Sequence, residues 1–131
     1  MITEEYSDLE RDVVDHLAGR VPTMPPGYQD TTVGIGLPQT WTVASPPHVG
    51  VAVDGSTETR GWAEPVLETA TVRITAWADS PTRVKQLARL ARTAALGFPA
   101  RPGAGVLATV DPDNHAPTAY FTVVIRRKPN R

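Results

Sequence analysis

The chain of 131 residues contains no cysteine, few aromatic residues and no long apolar run. Without thiols it has no disulfide framework, no Cys-ligated zinc site and no thiolate nucleophile. No stretch reaches the roughly 18 apolar residues that a membrane-spanning helix needs. No basic and apolar leader opens the sequence, so we expect no signal peptide. The net charge of −1 argues against a general nucleic-acid coat.

Proline and glycine, in contrast, are abundant, with 13 and 10 residues. Together with 40% apolar residues, they predict one loop-rich globular domain over 1–131. Six prolines lie in 20–47, which we predict to be an extended, Pro-rich segment. Only 32–37 and 40–43 fit short extended pieces there. A connection of this length in a compact domain is usually functional or disordered.

Two segments have the apolar spacing of helices. Residues at intervals of three and four predict a helix over 3–18, with Thr3 as its N-cap. The second helix begins with Ser80 as the cap and Pro81 in the first position, where a missing amide proton costs nothing. Gly97 ends it.

Alternating residues predict strands over 48–53, 66–78, 106–110 and 118–127. The last is apolar on both faces at its start, which is typical of a central strand. The order of elements predicts an α+β fold: a mainly antiparallel sheet of four to five strands, with two main helices packed on it and a long Pro-rich loop.

Charge is distributed unevenly along the chain. The opening helix is acidic and the second helix is basic. One interpretation is two solvated faces, and the other is self-complementarity between copies of the chain, with an acidic surface on one meeting a basic surface on the next. On the second interpretation the candidate interface residues are Glu4, Asp8, Asp12, Arg83, Arg89 and Arg92.

No motif in the sequence predicts catalysis. There is no phosphate-binding loop, no nucleophile elbow, and no pair of histidines at metal-ligand spacing. We therefore predict no enzyme, no cofactor and no metal site. The alternative from a different class is a small ligand-binding or enzymatic domain. Its candidate residues are His48, His115, Asp111 and Asp113.

Two tryptophans lie in regions that we expect to be exposed. Trp41 is in the Pro-rich segment, and Trp62 is in a hairpin connection that also holds Glu58 and Arg60. An indole on an exposed loop is either folded back on its own domain or buried against a partner, and the sequence leaves both open. On the second interpretation these four residues contact other subunits.

Five stretches together form a layout known from one family. They are the acidic opening helix Glu4–Leu17, the end of the Pro-rich segment Pro46–Val53, the strand Ala70–Ala78, the helix start Asp79–Pro81 and the closing strand Tyr120–Arg127. In this layout, which covers most of the chain, the protein resembles the tail terminator (tail completion) proteins of long-tailed bacteriophages. The stretch from the strand into the second helix is its most specific part.

The resemblance implies a structural virion protein, assembled in the host cytoplasm. Copies of the chain would form a homo-oligomeric ring, expected to be a hexamer, at the head-proximal end of the tail tube. The ring would stop tube polymerisation by capping the major tail tube protein, and would join the tail to the head–tail connector or stopper protein. DNA would pass through the bore without specific binding. A head–tail connector or stopper (head-closure) subunit is the alternative in the same class.

Overall fold

The computed structural model describes residues 8–21, 27–59, 67–98 and 100–127; the side chains of 56–59 and 67 are outside the description. Within these ranges the chain forms two helices and six strands. The helices are α1 (Leu9–Ala18) and α2 (Pro81–Ala95). The strands are β1 (Thr32–Ile35), β2 (His48–Thr59), β3 (Leu67–Trp77), β4 (Ala100–Pro102), β5 (Leu107–Val110) and β6 (Pro117–Arg127).

All six strands form one mixed sheet. Its order is β1-β2-β3-β6, and both β4 and β5 pair with β6 on the side away from β3. β1 is parallel to β2, and the other pairs are antiparallel. The α+β prediction and the central place of the last strand are confirmed. The count of four to five strands is wrong, because β1 and β4 are short edge strands that proline and glycine surround.

The two helices begin at side chains that accept a backbone hydrogen bond. The Asp8 carboxylate accepts from the Arg11 amide at 3.2 Å and caps α1, while Thr3, the predicted cap, lies outside the described residues. At α2 the Ser80 hydroxyl accepts from the Arg83 amide at 3.2 Å, as predicted. Each cap satisfies an amide that has no partner inside its own helix.

The core lies between the helices and one face of the sheet. Val51, Ile74 and Phe121 share one row across β2, β3 and β6, and all three are buried. α1 packs against β1 and β2, whereas α2 packs against β3 and β6. Burying a side chain of this size contributes about 1.5–3 kcal/mol. The packing therefore fixes α1 on the β1 side of the molecule and α2 on the β6 side.

The opposite face of the sheet is polar and partly exposed. Thr71, Thr75 and Thr122 lie there, and the Arg73 guanidinium lies 5.3 Å from the centre of the Tyr120 ring. One end of this face is covered by residues 36–47, the connection between β1 and β2. Of the short extended pieces predicted in the Pro-rich segment, the first corresponds to β1. The second, over 40–43, is wrong, because its residues form turns.

Candidate interaction surfaces

Two tryptophans form a small apolar cluster with Ala116 on the polar face of the sheet. The indole N–H of Trp41 donates to the Pro46 carbonyl at 2.8 Å, and that of Trp77 donates to the Asp111 carboxylate at 2.9 Å. Trp41 is only 7% exposed. Of the two possibilities that the sequence left open for Trp41, the structure has the indole folded back on its own domain.

At Gly50 the Trp77 ring and the start of the connection 36–47 both come close to the backbone of β2. A Cβ at Gly50 would lie 2.5 Å from the Gly36 carbonyl oxygen and 2.8 Å from the Trp77 ring. Gly36 itself has a φ of 68°, in the left-handed region that favours glycine. The corner after β1 therefore lies against β2 where Gly50 has no Cβ, and it turns through the left-handed backbone of Gly36.

His48 holds the same corner through both nitrogens of its ring. Nε2 lies 2.7 Å from the Gly36 carbonyl oxygen, which can only accept, so Nε2 carries the proton. Nδ1 then accepts from the Thr32 hydroxyl at 2.6 Å. Burial lowers the pKa of His48 below its ordinary value, although the bond to Gly36 acts in the opposite direction. The imidazole is a neutral structural link, with neither nitrogen left to act as a base or a ligand.

Asp111 organises the turn that faces this cluster. Besides Trp77, its carboxylate accepts from the amides of Asp113 at 2.8 Å and Asn114 at 3.2 Å. Burial raises the pKa of Asp111, but the hydrogen bonds from Trp77 and the two amides, with the charge of His115, outweigh it and leave the pKa below its ordinary value. The carboxylate is therefore ionised at neutral pH, and each of its two oxygens accepts a hydrogen bond from the protein.

A cleft of about 510 Å³ lies between this turn and the connection 36–47, with Trp41, Trp77, Asp111 and Asp113 in its wall. It brings together two of the four residues of the predicted ligand-binding alternative. His48 lies beside it, 5.9 Å from the Trp77 ring centre. His115 is exposed, with a φ of 59°.

Some acidic residues of α1 bind other parts of the same chain, and others are exposed. Asp8 caps the helix, and Asp12 forms an ion pair with Arg127 at 3.2 Å. Arg127 also binds the mostly buried Glu68 at 2.7 Å, which ties α1 to the far end of β3 and β6. Asp15 is exposed. Glu4, the remaining predicted residue on this helix, lies outside the described residues.

The basic residues of α2 divide into two groups. Arg83 binds Asp79 at 3.3 Å and the Gly27 carbonyl at 3.1 Å, so it anchors the helix within the chain. Arg89 is exposed and Arg92 is half-buried. Together with Lys85, Arg89 lines a second cleft, of about 330 Å³, whose other wall is Val106, Leu107 and Ala108. The free basic side of α2 thus lies next to β5.

Exposed apolar residues mark both edges of the sheet. Among the described residues, the exposed large apolar side chains are Ile35 in β1, Val43 in the connection to β2, and Leu107 and Val110 in β5. These residues were missed as candidates in the sequence. The sequence shows only short apolar, uncharged stretches next to turn residues. Such a stretch indicates an exposed sheet edge only when the pairing of the strand is known.

Three predicted interface residues lie in or near the hairpin connection. Arg60 and Trp62 are outside the described residues. The backbone of Glu58 belongs to β2, where it pairs with Glu68 in β3, so it is not in the connection as predicted. The strand continues to Thr59 because the antiparallel pairing resumes after an irregularity between Val53 and Gly55.

Searches against protein-family models and against curated proteins find no match to this chain. Among the described residues, no group of three or more His, Asp or Glu side chains is placed to hold a metal ion. Over the same part of the chain, no helix combines the length and the apolar character needed to cross a membrane.

Proposed function

We propose that copies of this chain associate head to tail into a closed ring that acts as the tail terminator of a bacteriophage tail. One observation supports the head-to-tail contact, namely that charge of opposite sign lies on the two sides of the helix layer, and the terminator role rests on the resemblance of the sequence layout. The acidic helix α1 lies over β1 and β2, whereas Lys85 and Arg89 of α2 lie beside β5 at the other side. Such a subunit has two different, complementary sides, and repetition of one heterologous contact forms a ring when the rotation closes.

The ring would act mechanically. One of its faces would cap the last ring of tube subunits and stop polymerisation, and the other would dock the head–tail connector or stopper protein. The bore must let DNA pass, so we place the basic residues of α2 at the contact between copies, where they meet acidic residues rather than phosphates.

The test is a mass measurement followed by a capping assay. We expect light scattering of the purified protein, alone and with tube subunits, to detect a closed oligomer, and we expect added protein to shorten tubes polymerised in vitro. A protein that stays monomeric in both mixtures and leaves tube length unchanged would refute the proposal.

The cleft beside Trp77 and Asp111 is the observation that favours the alternative of a small ligand-binding domain. Asp113→Ala changes its rim without removing the Trp77 hydrogen bond. If this variant assembled normally but lost binding or turnover of a small molecule, the ligand-binding function would replace the mechanical one. A subunit that binds the portal-side adaptor and not the tube would instead be a connector or stopper.

A further inference from the structure

We propose that β5 of one copy pairs antiparallel with β1 of the next copy, so that the sheet continues from subunit to subunit. The inference rests on the proposed ring and names the contact that builds it. Within the described residues, neither the outer side of β1 nor that of β5 has a strand partner. Their sequences, TVGI and LATV, contain no charged residue and no proline, which commonly protect sheet edges from pairing.

Among the residues that the structure describes, the backbone of each edge strand has hydrogen-bonding groups without a partner. The amides of Thr32 and Gly36 donate towards β2, to carbonyls at 3.0 and 3.2 Å. Because the backbone groups of successive residues point to opposite sides of a strand, those of Val33 and Ile35 point away from the sheet.

The same alternation applies to β5. The Asp111 amide donates to the Ala116 carbonyl at 3.0 Å, so the groups of Val110 and Ala108 point outward. Pro117, opposite Val110, has no amide proton to donate, as expected in a pair without hydrogen bonds. β1 and β5 therefore each have two residues whose backbone groups point away from the sheet, and in both strands these residues are two positions apart.

The outer edges of β1 and β5 also lie at the same height along the strand direction, which we call their level. A single row of paired residues runs from β1 to β5 through Val33, Val49, Ala76, Ala119 and Ala108. If the next copy continues this row, the contact adds no displacement parallel to the strands. A heterologous contact without such a displacement closes into a ring when the rotation between copies is a whole fraction of a turn, whereas a contact with a displacement produces an open helical filament.

This level fixes the register between copies. Val33 of one copy faces Ala108 of the next, and both are outward residues, so they can exchange two hydrogen bonds. Thr32 then faces Thr109. Leu107, which is 51% exposed, then faces Gly34, where the His48 ring lies 3.6 Å from the position of a Cβ. The register that matches the level thus matches the backbone directions at one pair, Val33 and Ala108. Ile35 instead faces Val106, and Val110 faces Thr31, whose amide donates to the Tyr28 carbonyl at 3.1 Å.

Charge selects which edges meet. Lys85 and Arg89 flank β5. α1, which packs against β1, carries the exposed Asp15, and the exposed Asp30 is two residues before β1. Pairing of β5 with β1 brings opposite charges together, whereas pairing of two β5 edges brings four cations together. Like charges opposed across an interface are strongly disfavoured, so the contact is between unlike edges.

Introduced cysteines test the register directly, because the natural chain has none. We expect the double variant Thr32→Cys, Thr109→Cys to form disulfides between copies on oxidation, giving a series of covalent multimers up to the full ring. The two positions would be about 4.5 Å apart between copies. Within one copy they are separated by four strand spacings, or about 19 Å, so an intrachain bond is excluded.

The matched control moves one cysteine by two residues on the same face, as Thr32→Cys with Leu107→Cys. Its Cα atoms would be about 7–8 Å apart, too far for a disulfide. Rings that form without crosslinking of the first pair, or with equal crosslinking of both pairs, would overturn the inference and leave the proposed function standing. In-register multimers that never cap tubes would instead overturn the proposed function alone.

Charge reversal gives a second test that leaves both edge strands unchanged. We expect Lys85→Glu with Arg89→Glu to raise the concentration needed for assembly about tenfold or more, a change of ~1.4 kcal/mol. Mixing this variant with Asp15→Lys, Asp30→Lys should restore assembly, because alternating copies again place opposite charges together at every contact. Unchanged assembly of the first variant, or no rescue in the mixture, would contradict the inference.

Discussion

Replacing Gly50 with alanine should destabilise the protein through a single methyl group. The added Cβ would lie 2.5 Å from the Gly36 carbonyl oxygen, 2.8 Å from the Trp77 ring and 3.0 Å from the Gly36 carbonyl carbon. Ordinary contacts between carbon atoms are about 3.5–4.0 Å, so the corner after β1 or the indole must move. Two of the three atoms belong to the backbone, which cannot turn aside as a flexible side chain can.

Two opposing effects set the size of the change. Overpacking of this kind costs about 1–3 kcal/mol. Alanine also lowers the conformational entropy of the unfolded chain, which offsets about 0.4–1 kcal/mol of that cost. We therefore expect the free energy of unfolding to fall by about 1–2 kcal/mol, and the Tm by roughly 4–8 °C for a domain of this size.

The assay is urea and thermal unfolding followed by circular dichroism, with Gly55→Ala as the matched control. Gly55 lies in the same strand, and no atom lies within 4 Å of a Cβ built there. We expect this control to keep the stability of the natural protein or to gain about 0.5 kcal/mol. If Gly50→Ala and Gly55→Ala were equally stable, the connection 36–47 would not lie against Gly50, and the reasoning would be wrong.

Three further variants test the caps and buried polar groups. Because the pKa of His48 is lowered on folding, the unfolded chain binds its proton more readily, so stability should fall as the pH drops below about 6.5. His48→Asn should flatten this dependence in urea midpoints measured from pH 8 to 5. Ser80→Ala should cost about 1 kcal/mol in urea unfolding, because the Arg83 amide loses its acceptor. Arg127→Leu should cost about 1–3 kcal/mol at pH 7, since it leaves the mostly buried Glu68 without this charged partner, whereas no loss would mean that the ion pair contributes nothing.

Local rules were sufficient for much of the fold. The Ser80 cap and the proline after it set the start of α2, and the alternation in 118–127 predicted a central strand, which β6 is. Both features depend on neighbours within a few positions, which a sequence displays directly. The acidic helix was also predicted, although Asp8 and not Thr3 caps the described helix.

Long-range pairing was not predictable in the same way. β1 is four residues long and becomes a strand through its parallel partner β2, and β4 has only three residues. The position of Trp41 depends on Trp77, thirty-six residues further along, and on Ala116. Likewise, His48 has its two partners at Thr32 and Gly36, so nothing adjacent to it revealed a structural role. The edges that carry the proposed contact became visible only through these pairings.

The hydrogen bonds of the two buried indoles also have a spectroscopic consequence. Trp77 donates to an ionised carboxylate and Trp41 to a carbonyl, and the two rings belong to one cluster at a single end of the sheet. Their fluorescence emission therefore reports on that end of the molecule. Protonation of Asp111 in acid, or displacement of the connection 36–47, would alter the emission of these two indoles.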